Sequence, residues 1–340
     1  MWDYIILLII PEGQLVNSDT VNNMKHLELS FTGKNNLWRY FVMLVLVFLA
    51  GNLIGTLPIL ITSTAKSMAD PQVMSRLSEN PNDFSALGLN QNLLLVYMLL
   101  PFISGLIAFV LLIKPLHYRT FISTINGIGR IRWKHFFTGA SVWMIFMLAY
   151  LLIYMQFDPD NFSFNNTSSS LFILILISFL LIPFQAAYEE VIFRGYLMQG
   201  FSVIIGNRLF PVIMTSLLFA LLHSLNPEVK EYGFLTMMPQ YLVFGLIFGL
   251  VTILDDGIEA AMGAHAANNI FLCIMVTHRS SALQTPALFE QHNIYPWSEL
   301  AGLLLTGLLF ILILRKIFKW KDLSIIFRKV EKTEIPIQIP

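Results

Sequence analysis

The sequence predicts an all-α, polytopic membrane protein, a helical bundle with about eight transmembrane helices. Hydrophobic side chains make up 56% of the 340 residues and charged side chains only 12%, whereas soluble proteins carry about 25% charged residues. Eight apolar stretches approach the length of about 20 residues that a helical span needs. The 21 basic residues balance the 21 acidic ones, so the basic stripe of a nucleic-acid-binding protein is absent and no nucleic-acid partner is expected.

The spans are expected at residues 38–61, 93–113, 136–156, 171–197, 209–225, 237–254, 258–276 and 297–318. The fourth is long and ends in a charged stretch, while the fifth and seventh are short and contain histidine. No internal repeat divides the chain. We therefore expect one bundle at 38–320, whose least lipid-like spans form a core at about 170–277, preceded by an interfacial or cytoplasmic segment, 1–37, and followed by a basic cytoplasmic tail, 321–340.

The distribution of basic residues predicts the orientation. The loop between spans two and three holds five Lys or Arg, and the stretch from Arg315 to Lys332 holds seven, whereas the loop "FDPDNFSFNNTSSS" holds none. Basic loops stay in the cytoplasm, so both termini are expected there, in a bacterial cell membrane. The N-terminal "MWDYIILLIIPEG" lacks a basic n-region and a cleavage site, so it is a poor signal peptide and is expected in the interface or against the bundle.

The fourth span ends in "EEVIFR", which places two carboxylates and an arginine in or near the membrane. Ionisable groups cost about 2.5–3.5 kcal/mol each at mid-helix and mark functional sites. Glu190 and Arg194 are at i and i+4 and can pair, whereas Glu189 points about 100° away and is left available. Pro183 should weaken the helix just before. An ordinary salt bridge at the membrane boundary is the alternative interpretation.

Two further polar clusters lie in the short spans. "FALLH" places Phe219 and His223 at i and i+4, and "HAANN" places His265 and Asn269 on one helical face. Small neighbours such as Gly263 would let another helix approach closely. Packing and hydrogen bonding across helices would account for each cluster alone, but less well for both together with a spare carboxylate.

Hydrolysis of a peptide bond would give a role to the polar side chains of all three clusters. A carboxylate in a dry cavity can act as general base toward water, here Glu189, with His223 sharing or orienting that water. His265 and Asn269 could donate hydrogen bonds to the oxyanion formed on the substrate carbonyl. A zinc version also stays open, because Glu189, His223 and His265 make the three-ligand set of a catalytic Zn²⁺, although no "HExxH" is present.

At this point the sequence resembles a known family. "EEVIFR", "FALLH" and "HAANN" follow the patterns E-E-x-x-x-R, F-x-x-x-H and H-x-x-x-N in the order found in the CPBP family, within about 80 residues. That family includes type II CAAX prenyl endopeptidases and bacterial Abi or bacteriocin-immunity proteins. The resemblance covers roughly residues 170–277 and implies an eight-helix intramembrane protease whose cavity opens to the cytoplasm.

The resemblance also implies roles for single residues. By motif position, Glu189 resembles the water-activating glutamate, His223 the histidine that assists it, and His265 with Asn269 the oxyanion-stabilising pair. The remaining motif residues resemble supporting groups: the ion pair of Glu190 and Arg194, and Phe219. Members of the family have been described both as metalloproteases and as glutamate-dependent proteases, so the resemblance leaves the zinc question open.

The resemblance implies a peptide or protein substrate at the membrane, lipidated where true CAAX processing occurs, with membrane lipid as the other partner. A non-catalytic scaffold or immunity protein that retains the cavity is the alternative. A solute transporter is weaker, because the inverted repeat of many transporters is missing.

Several residues receive a structural expectation only. Asp255, Asp256 and Glu259 should form a solvated cytoplasmic turn, and the G-x-x-x-G patterns at 51–55 and 245–249 should allow close helix contacts inside the fold. The lone cysteine, at 273, rules out an internal disulfide. Four of the five other histidines are expected in loops without a role: His117, His135, His278 and His292.

Overall fold

The computed structural model describes residues 25–79, 84–165 and 168–332 of the chain. The expectations for the apolar N-terminal stretch and for the last eight residues of the tail therefore lie outside the described residues. The α-helices are α1 (Leu37–Gly55), α2 (Leu57–Ala69), α3 (Pro71–Glu79), α4 (Gln91–His117), α5 (Trp133–Phe157), α6 (Ser168–Glu190), α7 (Met198–Ile205), α8 (Leu209–Leu222), α9 (Pro227–Tyr232), α10 (Phe234–Asp255), α11 (Glu259–Met275) and α12 (Pro296–Phe318). A π-helix, Val191–Leu197, joins α6 to α7.

The chain is a polytopic helical bundle, as predicted. Each of the eight predicted spans corresponds to helical structure, but in the described part of the chain only six helical stretches are long and apolar enough to cross a membrane. The two exceptions are α8 with 14 residues and α11 with 17. These are the fifth and seventh predicted spans, which are already short in the sequence, so the bundle has six long and two short helices at the predicted positions.

Two of the long stretches extend beyond the predicted spans. The first runs through Leu37–Ala69 with a break at Thr56, and α3 follows it as a short surface helix. The fourth covers Ser170–Ile205 and includes the π-helix. Pro183 lies inside α6 without ending it, and the departure from α-helical geometry begins eight residues later, at Val191.

Helix α11 packs between α5 and α6, and small residues set how closely it approaches α5. A Cβ on Gly263 would collide with the carbonyl oxygen of Phe136, and one on Gly139 with the carbonyl oxygen of Ala260. The close approach predicted for the small residues of this helix is therefore confirmed. It brings the polar face of α11 against α6.

Both G-x-x-x-G patterns also lie at contacts between helices of this chain. Gly55 of α1 lies against the backbone of Pro101 in α4, and Gly245 of α10 lies against Ser216 in α8. The prediction that these patterns act inside the fold is confirmed.

The two ends of the bundle differ in structure. At one end, β1 (Phe162–Phe164) pairs antiparallel with β3 (Phe289–Gln291), which pairs parallel with β2 (Val276–Thr277). At the other end, the loop before α5 and the tail after α12 meet at Asp255, which binds Arg132 from the loop and Trp320 from the tail. The two basic segments thus lie at the same end of the bundle.

The prediction of a solvated acidic turn after α10 is wrong. Asp255 is 5% exposed and Glu259 fully buried, and Arg132 binds both, with its Nη2 3.1 Å from Asp255 Oδ2 and its Nε 3.0 Å from Glu259 Oε1. Buried charges are stable only when they are paired and hydrogen-bonded. The partner comes from a loop more than 120 residues earlier, so the local sequence carries no sign of it.

Two histidines expected in loops belong to helices. His117 is the last residue of α4 and is fully buried, with its Nε2 2.7 Å from the hydroxyl of Tyr196 in the π-helix. His135 lies in the first turn of α5 and its Nδ1 is 2.9 Å from Asp255 Oδ2. His278 and His292 lie outside the helices, as predicted.

Candidate active site

The polar residues of the three motifs come from three helical stretches. Glu189 and Glu190 end α6 and Arg194 lies in the π-helix, while His223 follows the last residue of α8 and His265 lies in α11. Glu190 and Arg194 are completely buried, and Glu189 and His265 are only 8% and 5% exposed. The first and third motifs form one buried polar cluster, and His223 stands at its edge.

Glu190 accepts hydrogen bonds from two helices. Arg194 Nη1 is 2.8 Å and His265 Nδ1 is 2.7 Å from the same oxygen, Oε1. The guanidinium also lies over the ring of Phe219, 4.7 Å from its centre, where a cation is attracted by the aromatic face. The ion pair predicted from the i, i+4 spacing is present, and His265 is an additional partner that the spacing does not show.

Glu189 keeps one oxygen for other partners. Its Oε1 accepts a hydrogen bond of 2.5 Å from Gln185 Nε2. Its Oε2 is buried and has no hydrogen-bond partner among the described residues, and lies 3.6 Å from His265 Nε2. The helical wheel suggests that the two adjacent glutamates face different surroundings. In the structure they meet at one side chain, because each lies beside a different nitrogen of the His265 imidazole.

Gln185 is a site residue that the motifs do not include. It lies one helical turn before Glu189 and bridges that carboxylate to α11, because its Oε1 accepts a 2.9 Å hydrogen bond from Asn269 Nδ2. Asn268 donates to Asn269 Oδ1 over 3.1 Å and accepts from Trp143 Nε1 over 3.2 Å. The signal available in the sequence was a side-chain amide at the end of the apolar run that precedes the glutamates.

His223 has a defined orientation but does not join this network. Its Nδ1 is 2.7 Å from the carbonyl oxygen of Phe219; since a carbonyl only accepts, Nδ1 carries a proton, and in the neutral ring the lone pair is then on Nε2. The imidazole stacks on Tyr241 at 4.5 Å, a second residue that the motifs missed. Phe219 contacts the rings of both His223 and His265, with ring centres 4.4 and 6.1 Å away.

The donor geometry does not fit the zinc alternative. Throughout residues 25–79, 84–165 and 168–332, no three His, Cys, Asp or Glu side chains are close enough together to hold a metal ion. Glu189 and His265 approach one another, but His223 is not close enough to the two of them to complete a group of three donors. The three residues proposed as ligands therefore do not form a ligand set in this structure.

Fold and site together define a polytopic integral membrane protein with a buried carboxylate–imidazole cluster. The family model "Type II CAAX prenyl endopeptidase Rce1-like" matches residues 168–271, which contain all three motifs. The chain is also 31% identical over 262 residues to "Uncharacterized protein YyaK" of Bacillus subtilis (strain 168), covering 76% of this chain and 84% of that protein. No solved structure matches the chain. The chain belongs to the Rce1-like family, the CPBP group that its motifs resemble.

Proposed function

We propose that this protein is an intramembrane endopeptidase that hydrolyses a peptide bond near the membrane surface, with Glu189 as the general base. The observation that carries the proposal is that Glu189 is not held by an arginine: Oε2 of each glutamate is buried without a hydrogen-bond partner among the described residues, but Glu190 is paired with Arg194, whereas Glu189 Oε2 faces His265. A buried acceptor without a partner is costly and can be satisfied by a water molecule. Water bound there is the nucleophile.

The reaction balances with Glu189 as the proton carrier. Glu189 removes a proton from the water while the water oxygen attacks the carbonyl carbon of the peptide bond. When the carbon–nitrogen bond breaks, the same carboxyl group returns the proton to the leaving amine. The products are a carboxylic acid, which keeps the second proton of the water until it ionises, and an amine.

The other motif residues would support this step. His265 and Asn269 are proposed to stabilise the oxyanion; His265 is held in place by Glu190, and Asn269 must exchange its hydrogen bond to Gln185 for the substrate oxygen. His223 would orient the water with its Nε2 lone pair. Such hydrogen bonds are often long or absent until substrate binds.

The substrate proposed from the family description is a peptide or protein at the membrane that carries a lipid at its C-terminus. The protein would act in a bacterial cell membrane with both termini in the cytoplasm, in contact with membrane lipid. The large apolar side chains exposed along the long helices fit such surroundings.

The proposal can be tested with purified protein in liposomes and a set of membrane peptides with and without a prenylated C-terminus. The wild type should cleave at least one of them, and Glu189→Gln should lower kcat by about 10²–10⁴-fold, the contribution typical of a general base. Glu231→Gln, which removes a carboxylate that pairs with Arg279 at the surface, is the matched control and should keep full activity. Equal cleavage by wild type and Glu189→Gln would rule out this role.

One observation favours a second candidate, a non-catalytic scaffold or immunity protein. Among the described residues, the amide nitrogen of Asn269 donates its hydrogen bond to Gln185, inside the buried polar cluster. This is expected of a purely structural network. In that case Glu189→Gln should keep the biological function of the protein in cells, whereas loss of that function in a folded variant would favour the peptidase.

A further inference from the structure

The segment before α1 is buried against the end of the bundle that carries the basic loops. It forms a 3₁₀ helix, Glu28–Thr32, preceded by His26, whose side chain is 1% exposed. Glu28 Oε1 is 2.7 Å from Arg208 Nη2, which anchors the segment beside α8. This part of the chain is therefore an integral piece of the fold.

His26 contacts the backbone of the π-helix. Its Nε2 is 3.0 Å from the carbonyl oxygen of Arg194, and the bond is buried. Within the π-helix the pairing is i to i+5, as in the hydrogen bond from Met198 N to Phe193 O. Where this pairing returns to i+4, one carbonyl is left without a donor from its own helix, and a buried carbonyl needs a partner. His26 supplies a donor at this junction.

The surrounding hydrogen bonds define the protonation state of His26. Arg119 Nη1 donates to Gln199 Oε1 over 2.8 Å, which fixes the orientation of that amide. The amide nitrogen of Gln199 then donates to the carbonyl oxygens of His26 and Ser123, each at 2.8 Å. Because Nε2 of His26 faces the carbonyl of Arg194, which can only accept, the proton resides on Nε2. Burial lowers the pKa of His26, which keeps the imidazole in this neutral form.

We propose that His26 is a positioning residue for the candidate active site, acting through the carbonyl of Arg194. By holding the π-helix backbone, it fixes the point from which the guanidinium of Arg194 reaches Glu190, and Glu190 in turn orients His265. His26 does not touch the proposed reacting atoms. Its effect on catalysis rests on the proposed function, but its effect on the π-helix does not.

Two substitutions separate the donor from the bulk of the side chain. His26→Gln keeps an N–H near the position of Nε2, whereas His26→Leu fills similar space without a donor. Ser30→Ala is the matched control: Ser30 is fully buried in the same segment, but its hydroxyl donates to the carbonyl of Leu27 over 2.8 Å and does not reach the π-helix.

The test combines amide hydrogen exchange with cleavage kinetics. Loss of a buried hydrogen bond costs about 1–3 kcal/mol, so His26→Leu should raise exchange in a peptide covering 191–199 by about tenfold or more. Exchange in β3, at the far end of the bundle, should stay unchanged. With a cleavable peptide, kcat should fall and KM should stay the same. His26→Gln and Ser30→Ala should behave like the wild type in both measurements.

Unchanged exchange at 191–199 in His26→Leu would overturn the proposal, as would a His26→Gln variant that is as loose as His26→Leu. If His26→Leu loosens the whole bundle, the comparison of His26→Gln with His26→Asn decides, because asparagine places its amide near Nδ1 rather than Nε2; equal exchange in both would then overturn it. If the wild type cleaves no peptide, the proposed function fails, while the exchange data still decide the role of His26.

Discussion

Arg194 connects three parts of the candidate site. Its guanidinium pairs with Glu190 and lies over Phe219, and its carbonyl accepts the hydrogen bond from His26. The charge is completely buried, where an uncompensated ion is strongly unfavourable. The cluster is therefore sensitive to the loss of any one charged member.

We predict that Glu190→Gln destabilises the protein by about 3–5 kcal/mol, the usual cost of removing one partner from a buried ion pair. Chemical unfolding in detergent would measure the change. The double variant Glu190→Gln/Arg194→Gln should lose less stability than the two single variants added together, because no buried charge is left alone. A Glu190→Gln variant as stable as the wild type would contradict the buried pair.

We also predict that Gln185→Leu lowers kcat by about tenfold, since a hydrogen bond to a charged group contributes about 1.5–3 kcal/mol. The substitution removes the donor to Glu189 and the acceptor for Asn269 together. Gln240→Leu is the matched control, because Gln240 also lies in a helix and its amide donates to a remote carbonyl, that of Pro296. Similar activity in both variants would show that Gln185 has no part in the site.

At the scale of helices, hydropathy predicted where the helices lie but not their local geometry. The apolar letters of "VIFRGYL" are equally compatible with i+4 and i+5 pairing, so the π-helix has no signature in them. Within one helix, spacing correctly predicted the pair of Glu190 and Arg194. The contact of Glu190 with His265 depends on how α11 is rotated against α6, which no local pattern specifies.

We predict that Gly263→Ala destabilises the protein, because Gly263 lies at the close contact between α5 and α11. The added Cβ would meet the carbonyl oxygen of Phe136, so the helices must move apart, at a cost of about 1–3 kcal/mol. Ala301→Leu, at an exposed position of α12, adds more atoms without this collision and serves as the control in thermal unfolding. Equal melting temperatures for Gly263→Ala and the wild type would contradict the close contact.

We predict that His278, in the loop after β2, makes the stability of the protein depend on pH. Nδ1 of His278 accepts from Ser280 N over 3.0 Å and Nε2 is 3.1 Å from the Tyr232 hydroxyl, and burial lowers the pKa of His278 below its usual 6.5. As the pH falls through 6.5, the histidine of the unfolded chain takes up a proton, whereas the same side chain in the folded protein stays neutral. The free energy of unfolding therefore falls as the pH drops. His278→Gln should lose less stability than the wild type between about pH 7.5 and 5.5, and parallel losses in unfolding experiments would contradict it.

At the scale of the whole molecule, the buried polar groups are concentrated toward one end. The ion pairs of Arg132, the anchor of Glu28 and the contact of His26 lie among the basic loop, the tail and the start of α11. The opposite end carries the small sheet and the loop without basic residues. This asymmetry makes the orientation of the molecule in the membrane a testable property.

Cysteine labelling would establish that orientation. Cys273 is buried and should not react with a membrane-impermeant maleimide, so a new cysteine reports its own position. Asp160→Cys lies at an exposed site beside the sheet and Lys321→Cys at an exposed site in the basic tail. Because basic segments stay in the cytoplasm, Asp160→Cys should label on intact bacterial cells and Lys321→Cys only after the cells are permeabilised. If Lys321→Cys were labelled on intact cells and Asp160→Cys only after permeabilisation, the basic end would lie on the outer side of the membrane. The proposed site, which is expected to open toward that end, would then exclude a cytoplasmic substrate.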